Sequence, residues 1–153
     1  MYGISPLGSY SKPLRIRLRK ELYVKQIMEK INEFQKLGVG KKLYEVLEKM
    51  HFAVPTEIQN EAIPLVLQGR DVIGNAATGS GKTLVFAAGI IERCVPGQGI
   101  QTLVLAPTRE LAEQIGKVVR NFAHGSGLNI IEVYGGVSYN PQVEGLRRAD
   151  VVV

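Results

Sequence analysis

Apolar residues recur along this chain in two alternating rhythms, one of helical period and one of short unbroken runs. Over residues 39–50, Leu43, Val46, Leu47 and Met50 fall at helical spacing, and Pro55 forces the residue before it into an extended segment. Thr56 then offers an N-cap oxygen, with Gln59 three residues on as its capping-box partner, for a helix that Gly69 stops. Residues 71–75, Asp71-Val72-Ile73-Gly74-Asn75, predict a short buried strand leading into a glycine-rich turn. A helix from Lys82 to about Cys94 follows and ends at Pro96-Gly97. The rhythm repeats with a strand over 102–106 and an amphipathic helix over 110–123, carried by Leu111, Ile115, Val118, Val119 and Phe122. A strand over 129–134, the Gly135-Gly136 turn, a helix near 142–148 and a fourth strand opening at Val151 complete the pattern. Strands separated by helices of this length require crossover connections, so the expected fold is an α/β parallel sheet with helices on both faces.

Composition narrows the class. The chain has 153 residues of which 45% are hydrophobic, enough for one compact core and too many for a disordered tail. No uninterrupted apolar run approaches the length of a membrane span, so a soluble, cytoplasmic protein with no membrane partner is expected. A single cysteine, Cys94, excludes an internal disulfide framework or a multi-cysteine metal site, and its place in an apolar helical pattern makes it a core residue.

The net charge of +5 is concentrated at one end. Residues 1–33 carry seven basic side chains against three acidic ones, whereas the remainder carries twelve against eleven. This divides the chain into a basic N-terminal extension, 1–33, and a nearly neutral domain, 34–153. Within the extension, Leu14-Arg15-Ile16-Arg17-Leu18-Arg19 alternates apolar and basic residues, which sets three arginines on one face of an extended segment; a solvated charge run and a phosphate-following face both fit it. From Glu21 onward the spacing of Tyr23, Ile27, Ile31 and Phe34 is helical.

The strongest chemical signal is Ala76-Ala77-Thr78-Gly79-Ser80-Gly81-Lys82-Thr83, placed between a predicted strand and a predicted helix. Glycines let such a loop curl so that successive N–H groups point inward at phosphate oxygens, and the helix N-terminus adds partial positive charge. Lys82 then reaches the outer phosphates and Thr83 offers a hydroxyl to Mg²⁺, which makes these two the candidate catalytic residues and Thr83 the candidate metal ligand. Ala76 stands where the general pattern has Gly.

Upstream lies Phe52-Ala53-Val54-Pro55-Thr56-Glu57-Ile58-Gln59, and downstream Pro107-Thr108-Arg109-Glu110-Leu111-Ala112, with Gln114 just after it. The second segment sits at the C-terminal end of a predicted strand, the edge of a parallel sheet where ligands gather. Its Thr108 hydroxyl, Arg109 guanidinium and helix N-terminal N–H groups suit phosphate oxygens, and Glu110 suits the first helical turn. Together with the phosphate loop and Gly135-Gly136, these segments resemble the DEAD-box RNA helicases in motif order and approximate spacing, from about Phe34 to Val153. His51 and Glu57 depart from the family pattern, which has Gly and Pro at those places.

The resemblance implies a RecA-like P-loop NTPase fold using ATP and Mg²⁺, with RNA as partner. It assigns Phe52, Thr56 and Gln59 to the adenine-recognising Q motif, with Gln59 selecting ATP, Phe52 stacking on the base and Phe34 as a packing support. It assigns Pro107, Thr108, Arg109, Gly135 and Gly136 to the RNA backbone. An amide carries both a donor and an acceptor, so Gln59 is chemically suited to the paired edge of adenine. Hydrolysis needs an acidic pair after a buried strand, yet Asp71 and Asp150 both precede theirs. The family's acidic box, its Ser-Ala-Thr motif and a second RecA-like domain with an arginine finger are therefore expected beyond Val153. On this reading the sequence is a truncated front part of a monomeric motor and does not hydrolyse ATP by itself. A P-loop ATPase acting on DNA and a non-catalytic RNA-binding module remain as alternatives.

Overall fold

The computed structural model describes residues 33–153. The basic extension, the alternating segment 14–19 and the helical pattern from Glu21 to Ile31 lie outside the described residues. The described elements are helices α1 (Lys41–Lys49), α2 (Glu57–Leu67) and α3 (Lys82–Arg93), strand β1 (Thr102–Leu103), helix α4 (Arg109–Phe122), strand β2 (Ile130–Ile131), helix α5 (Tyr139–Leu146) and strand β3 (Val151–Val152). All three strands are parallel in the order β1-β3-β2, with Val151 beside both Thr102 and Ile130. The ladder outruns the strands proper, since Val104 N donates to Val152 O and Val133 N to Val153 O, each at 2.8 Å.

Helix α3 is the centre of the core. Leu84, Val85, Ala87, Ala88, Ile90 and Ile91 are buried on several of its sides, as expected of a helix that is apolar all round. Gly89 permits α2 to approach it, for a Cβ there would stand 2.5 Å from Val66 Cγ1. Phe34, Leu43, Leu47, Ile63 and Val119 close the core around it. Glu92 of α3 also supplies what α1 lacks in its own sequence, because its Oε1 accepts from Gly40 N, the N-cap of α1, at 2.9 Å.

Consecutive residues at the end of β2 show how the sheet is covered. An added Cβ on Gly145 of α5 would meet Ile131, whereas one on Gly116 of α4 would collide with Glu132. Neighbouring strand residues point to opposite faces, so α4 and α5 lie on the two sides of β2. Arg120 of α4 and Glu132 pair at 2.6 Å across the first of these interfaces.

One expected element is absent. Residues 71–75 carry no strand; Val72 is half-buried, Ile73 is fully exposed, and Gly74 lies within contact range of Ile58 of α2. A strand exists only when its N–H and C=O groups meet a ladder, and among the described residues none pairs with this segment. Leu103 and Leu105 at the outer edge of β1 are likewise exposed.

Candidate functional site

The phosphate loop is shaped by its glycines. Gly79 and Gly81 take φ of +82° and +89°, a region that L side chains avoid, and Gly81 serves as the N-cap of α3. Gly79 faces open space, so its conformation alone calls for glycine. At Gly81 space is also decisive, since a Cβ would sit 2.2 Å from Gln59 Nε2.

That closeness joins the upstream motif to the loop. Gln59 is 2% exposed, its Oε1 accepts from Thr56 N at 2.9 Å and its Nε2 donates to Gly81 O at 3.1 Å. Thr56 completes the brace by donating its hydroxyl to Ser80 O at 2.7 Å. The capping box expected from Thr56 and Gln59 is therefore present, and the same two side chains hold the Ser80-Gly81 curve from outside. One amide hydrogen and one oxygen lone pair of Gln59 are left after these bonds.

Lys82 folds back over the loop, with its Nζ donating to Ala76 O and, at 2.8 Å, to Ala77 O. The Ser80 hydroxyl is buried with no hydrogen-bond partner, a polar atom whose desolvation is uncompensated within the protein. A lysine tethered only to carbonyls, the Thr83 hydroxyl in the first turn of α3 and an orphaned serine hydroxyl form a donor set that suits phosphate oxygens. The Thr83 hydroxyl would suit one ligand position on a magnesium ion. Among the described residues no group of three or more His, Cys, Asp or Glu side chains is gathered to hold a metal.

The two aromatics are placed differently from one another. Phe34 is fully buried. Phe52 is half-buried and packs edge to face on Phe122, at the C-terminal end of α4, with ring centroids 5.5 Å apart. The sequence suggested a ring free to stack on a base; in this arrangement much of that ring is spent on the core.

The downstream motif and the glycine pair meet in space. Pro107, Thr108 and Arg109 from the end of β1 line a cavity of about 460 Å³ together with Tyr134 and Gly135 from the end of β2. Thr108 caps α4 by accepting from Leu111 N at 3.3 Å, which leaves its O–H free to donate. Arg109 Cζ stands 5.0 Å over the centroid of the Tyr134 ring, and its Nε donates to Glu113 Oε1 at 3.2 Å. Gly136, at φ +84°, has Arg109 Nη1 as the nearest atom to a notional Cβ, at 3.8 Å. The Tyr134 hydroxyl and then the Arg109 guanidinium hold the Glu113 carboxyl below the usual carboxylate range, while Glu113 pushes the Tyr134 hydroxyl up. Glu113, Tyr134 and Gln142, the last bonded to the main chain of Tyr134, were not singled out by sequence; only the four-residue step from Arg109 to Glu113 was a local signal.

Asp71 is exposed, and Asp150 is buried at the start of β3 on two main-chain N–H groups, which makes it a structural residue.

Comparison with known proteins places the chain in one family. The family model for DEAD/DEAH box helicases matches residues 56–153. The RNA helicase CrhR of Synechocystis sp. is 42% identical over 120 residues, covering 78% of this chain and 24% of that protein. A DEAD box protein from Methanococcus jannaschii superposes with a TM-score of 0.75 at 36% identity, covering 78% of this chain and 33% of that one. Dbp5 of S. cerevisiae, bound to RNA and ADP BeF3, superposes with a TM-score of 0.69 at 31% identity, covering 78% of this chain and 31% of that one. The chain thus spans less than half the length of each of these relatives.

Proposed function

Because this chain belongs to the DEAD/DEAH box helicase family, we propose that residues 34–153 form the ATP- and RNA-binding part of an ATP-dependent RNA helicase that remodels RNA duplexes. The observation that carries the reading is the brace from Gln59 and Thr56 onto Ser80 and Gly81, which joins a base-recognition motif to a phosphate loop. ATP binds with its phosphates in the curve of residues 76–83, where Lys82 exchanges its two carbonyl partners for phosphate oxygens and Thr83 contributes to Mg²⁺. The spare hydrogen and lone pair of Gln59 would read the adenine edge once the base approaches this buried amide, and Thr56 holds the loop in register. The magnesium ion supplies charge neutralisation at the outer phosphates.

RNA lies along the Pro107-Thr108-Arg109 and Gly135-Gly136 edge. Thr108 O–H and the Arg109 guanidinium donate to phosphate oxygens, and the absence of side chains at the glycine pair lets the backbone approach closely.

Lys82→Ala tests the nucleotide half of this reading. Calorimetric titration of the protein with ATP and Mg²⁺ should give no measurable binding in the variant while its circular dichroism stays native. Unchanged ATP affinity in a folded variant overturns the assignment of the loop.

A further inference from the structure

Arg109 is the first residue of α4, at the positive end of the helix dipole, where a cation is disfavoured. Its ion pair with Glu113 runs from base to acid along the chain, the less stabilising order for a four-residue step. Helix stability is therefore a poor account of this pair. The cluster also reaches across the fold to Tyr134, whose main chain is locked from α5: Gln142 Oε1 accepts from Tyr134 N at 2.9 Å, and Gln142 Nε2 donates to Tyr134 O at 3.2 Å. A ring fixed in this way forms a floor under the guanidinium, while Glu113 occupies its Nε edge.

A guanidinium held at its face and at its Nε edge has one edge left, the paired Nη groups. Nη1 lies beside Gly136, 3.8 Å from where a Cβ would stand, and glycine puts no side chain in the way. A phosphate that binds two Nη donors in fork geometry needs that edge presented in one orientation.

We propose that Glu113 and Tyr134 are positioning residues that aim the Nη edge of Arg109 at an RNA phosphate beside the Gly135-Gly136 turn. This rests on the proposal that Arg109 contacts RNA. It carries a consequence opposite in sign to simple electrostatics: removing an acidic residue beside a polyanion normally tightens binding, whereas removing this one loosens it, because an unrestrained arginine gives up orientation.

The test is binding of a single-stranded oligoribonucleotide to the full protein chain, followed by fluorescence anisotropy across a salt series. Glu113→Ala should weaken binding about threefold at low salt, the scale of an exposed ion pair or stacked cation, and lower the salt slope by about one ion. Glu113→Gln keeps an acceptor for Arg109 Nε without the charge, so its affinity should equal or exceed that of the parent. Tyr134→Leu should weaken binding as Glu113→Ala does, and Glu113→Ala added to Arg109→Ala should cost nothing further. If Arg109→Ala weakens binding but Glu113→Ala binds RNA as tightly as the parent or more so, the positioning role is overturned while the RNA contact stands. If Arg109→Ala itself leaves affinity unchanged, the RNA contact fails, and the positioning role fails with it.

Discussion

The side-chain amide of Gln59 donates to the main-chain carbonyl of Gly81 at 3.1 Å, so the second helix and the phosphate loop are tied by one buried side chain. On the proposed reading, this bond would couple base recognition to loop shape, because a base engaging the remaining donor and acceptor of Gln59 would also bear on the curve of residues 76–83.

Gln59→Ala should therefore act on two measurements together. It leaves Thr56 N and Gly81 O without their partners, which lowers unfolding free energy on the order of 1–3 kcal/mol in a denaturant titration. It should also reduce ATP affinity more than GTP affinity in parallel calorimetric titrations. A loss that is equal for the two nucleotides would leave Gln59 as a brace alone and remove base reading from its role.

Helices were the most legible part of this fold because their signals are local. Thr56 and Gln59 form the expected capping box, Gly69 ends α2 at φ +77°, and Thr108 caps α4. The helix expected near 142–148 begins earlier, at Tyr139, and its Gln142 is spent on Tyr134. Residues 71–75 read as a strand because they are apolar, but a strand is a property of two segments and a sequence pattern specifies only one. Phosphate-loop residues could be found from their spacing alone. The Arg109, Glu113 and Tyr134 cluster could not, since it joins the ends of two strands that are neighbours of β3 and not of each other.

His51 occupies the left-handed region at φ +59°, the one non-glycine residue among those described with a positive φ. The resembling family has Gly at this place, and the backbone shows why: the chain turns sharply out of α1, where Phe52 N returns to Leu47 O. An L side chain in this conformation costs roughly 1–2 kcal/mol, partly offset by the greater chain entropy that Gly loses on folding. His51→Gly should raise stability by about 0.5–1 kcal/mol and the melting temperature by about 2–4 °C in a calorimetric scan. A lower melting temperature would show that His51 makes a contact worth more than the strain.

Asp150 looks at first like catalytic machinery, a buried carboxylate in a nucleotide-binding fold, and its hydrogen bonds argue otherwise. It is 1% exposed; Oδ1 accepts from Gly97 N at 2.7 Å and Oδ2 from Asn129 N at 2.9 Å. Its own carbonyl accepts from Gln101 N at 2.8 Å, so this residue gathers the entries to β1, β2 and β3 at one edge of the sheet. Thr108 and Arg109 lie past the other end of β1, the strand that β3 runs parallel to. Asp150→Ala leaves two part-buried donors, Gly97 N and Asn129 N, without their partners and should lower unfolding free energy on the order of 1–3 kcal/mol. Asp150→Asn, with one acceptor oxygen in place of two, should fall between that variant and the parent. Below the melting transition both variants should bind ATP and the oligoribonucleotide with parental affinity, because the site edge is held by the ladder and by Gln142. Loss of ligand affinity in a variant whose circular dichroism remains native would move Asp150 from scaffold to site.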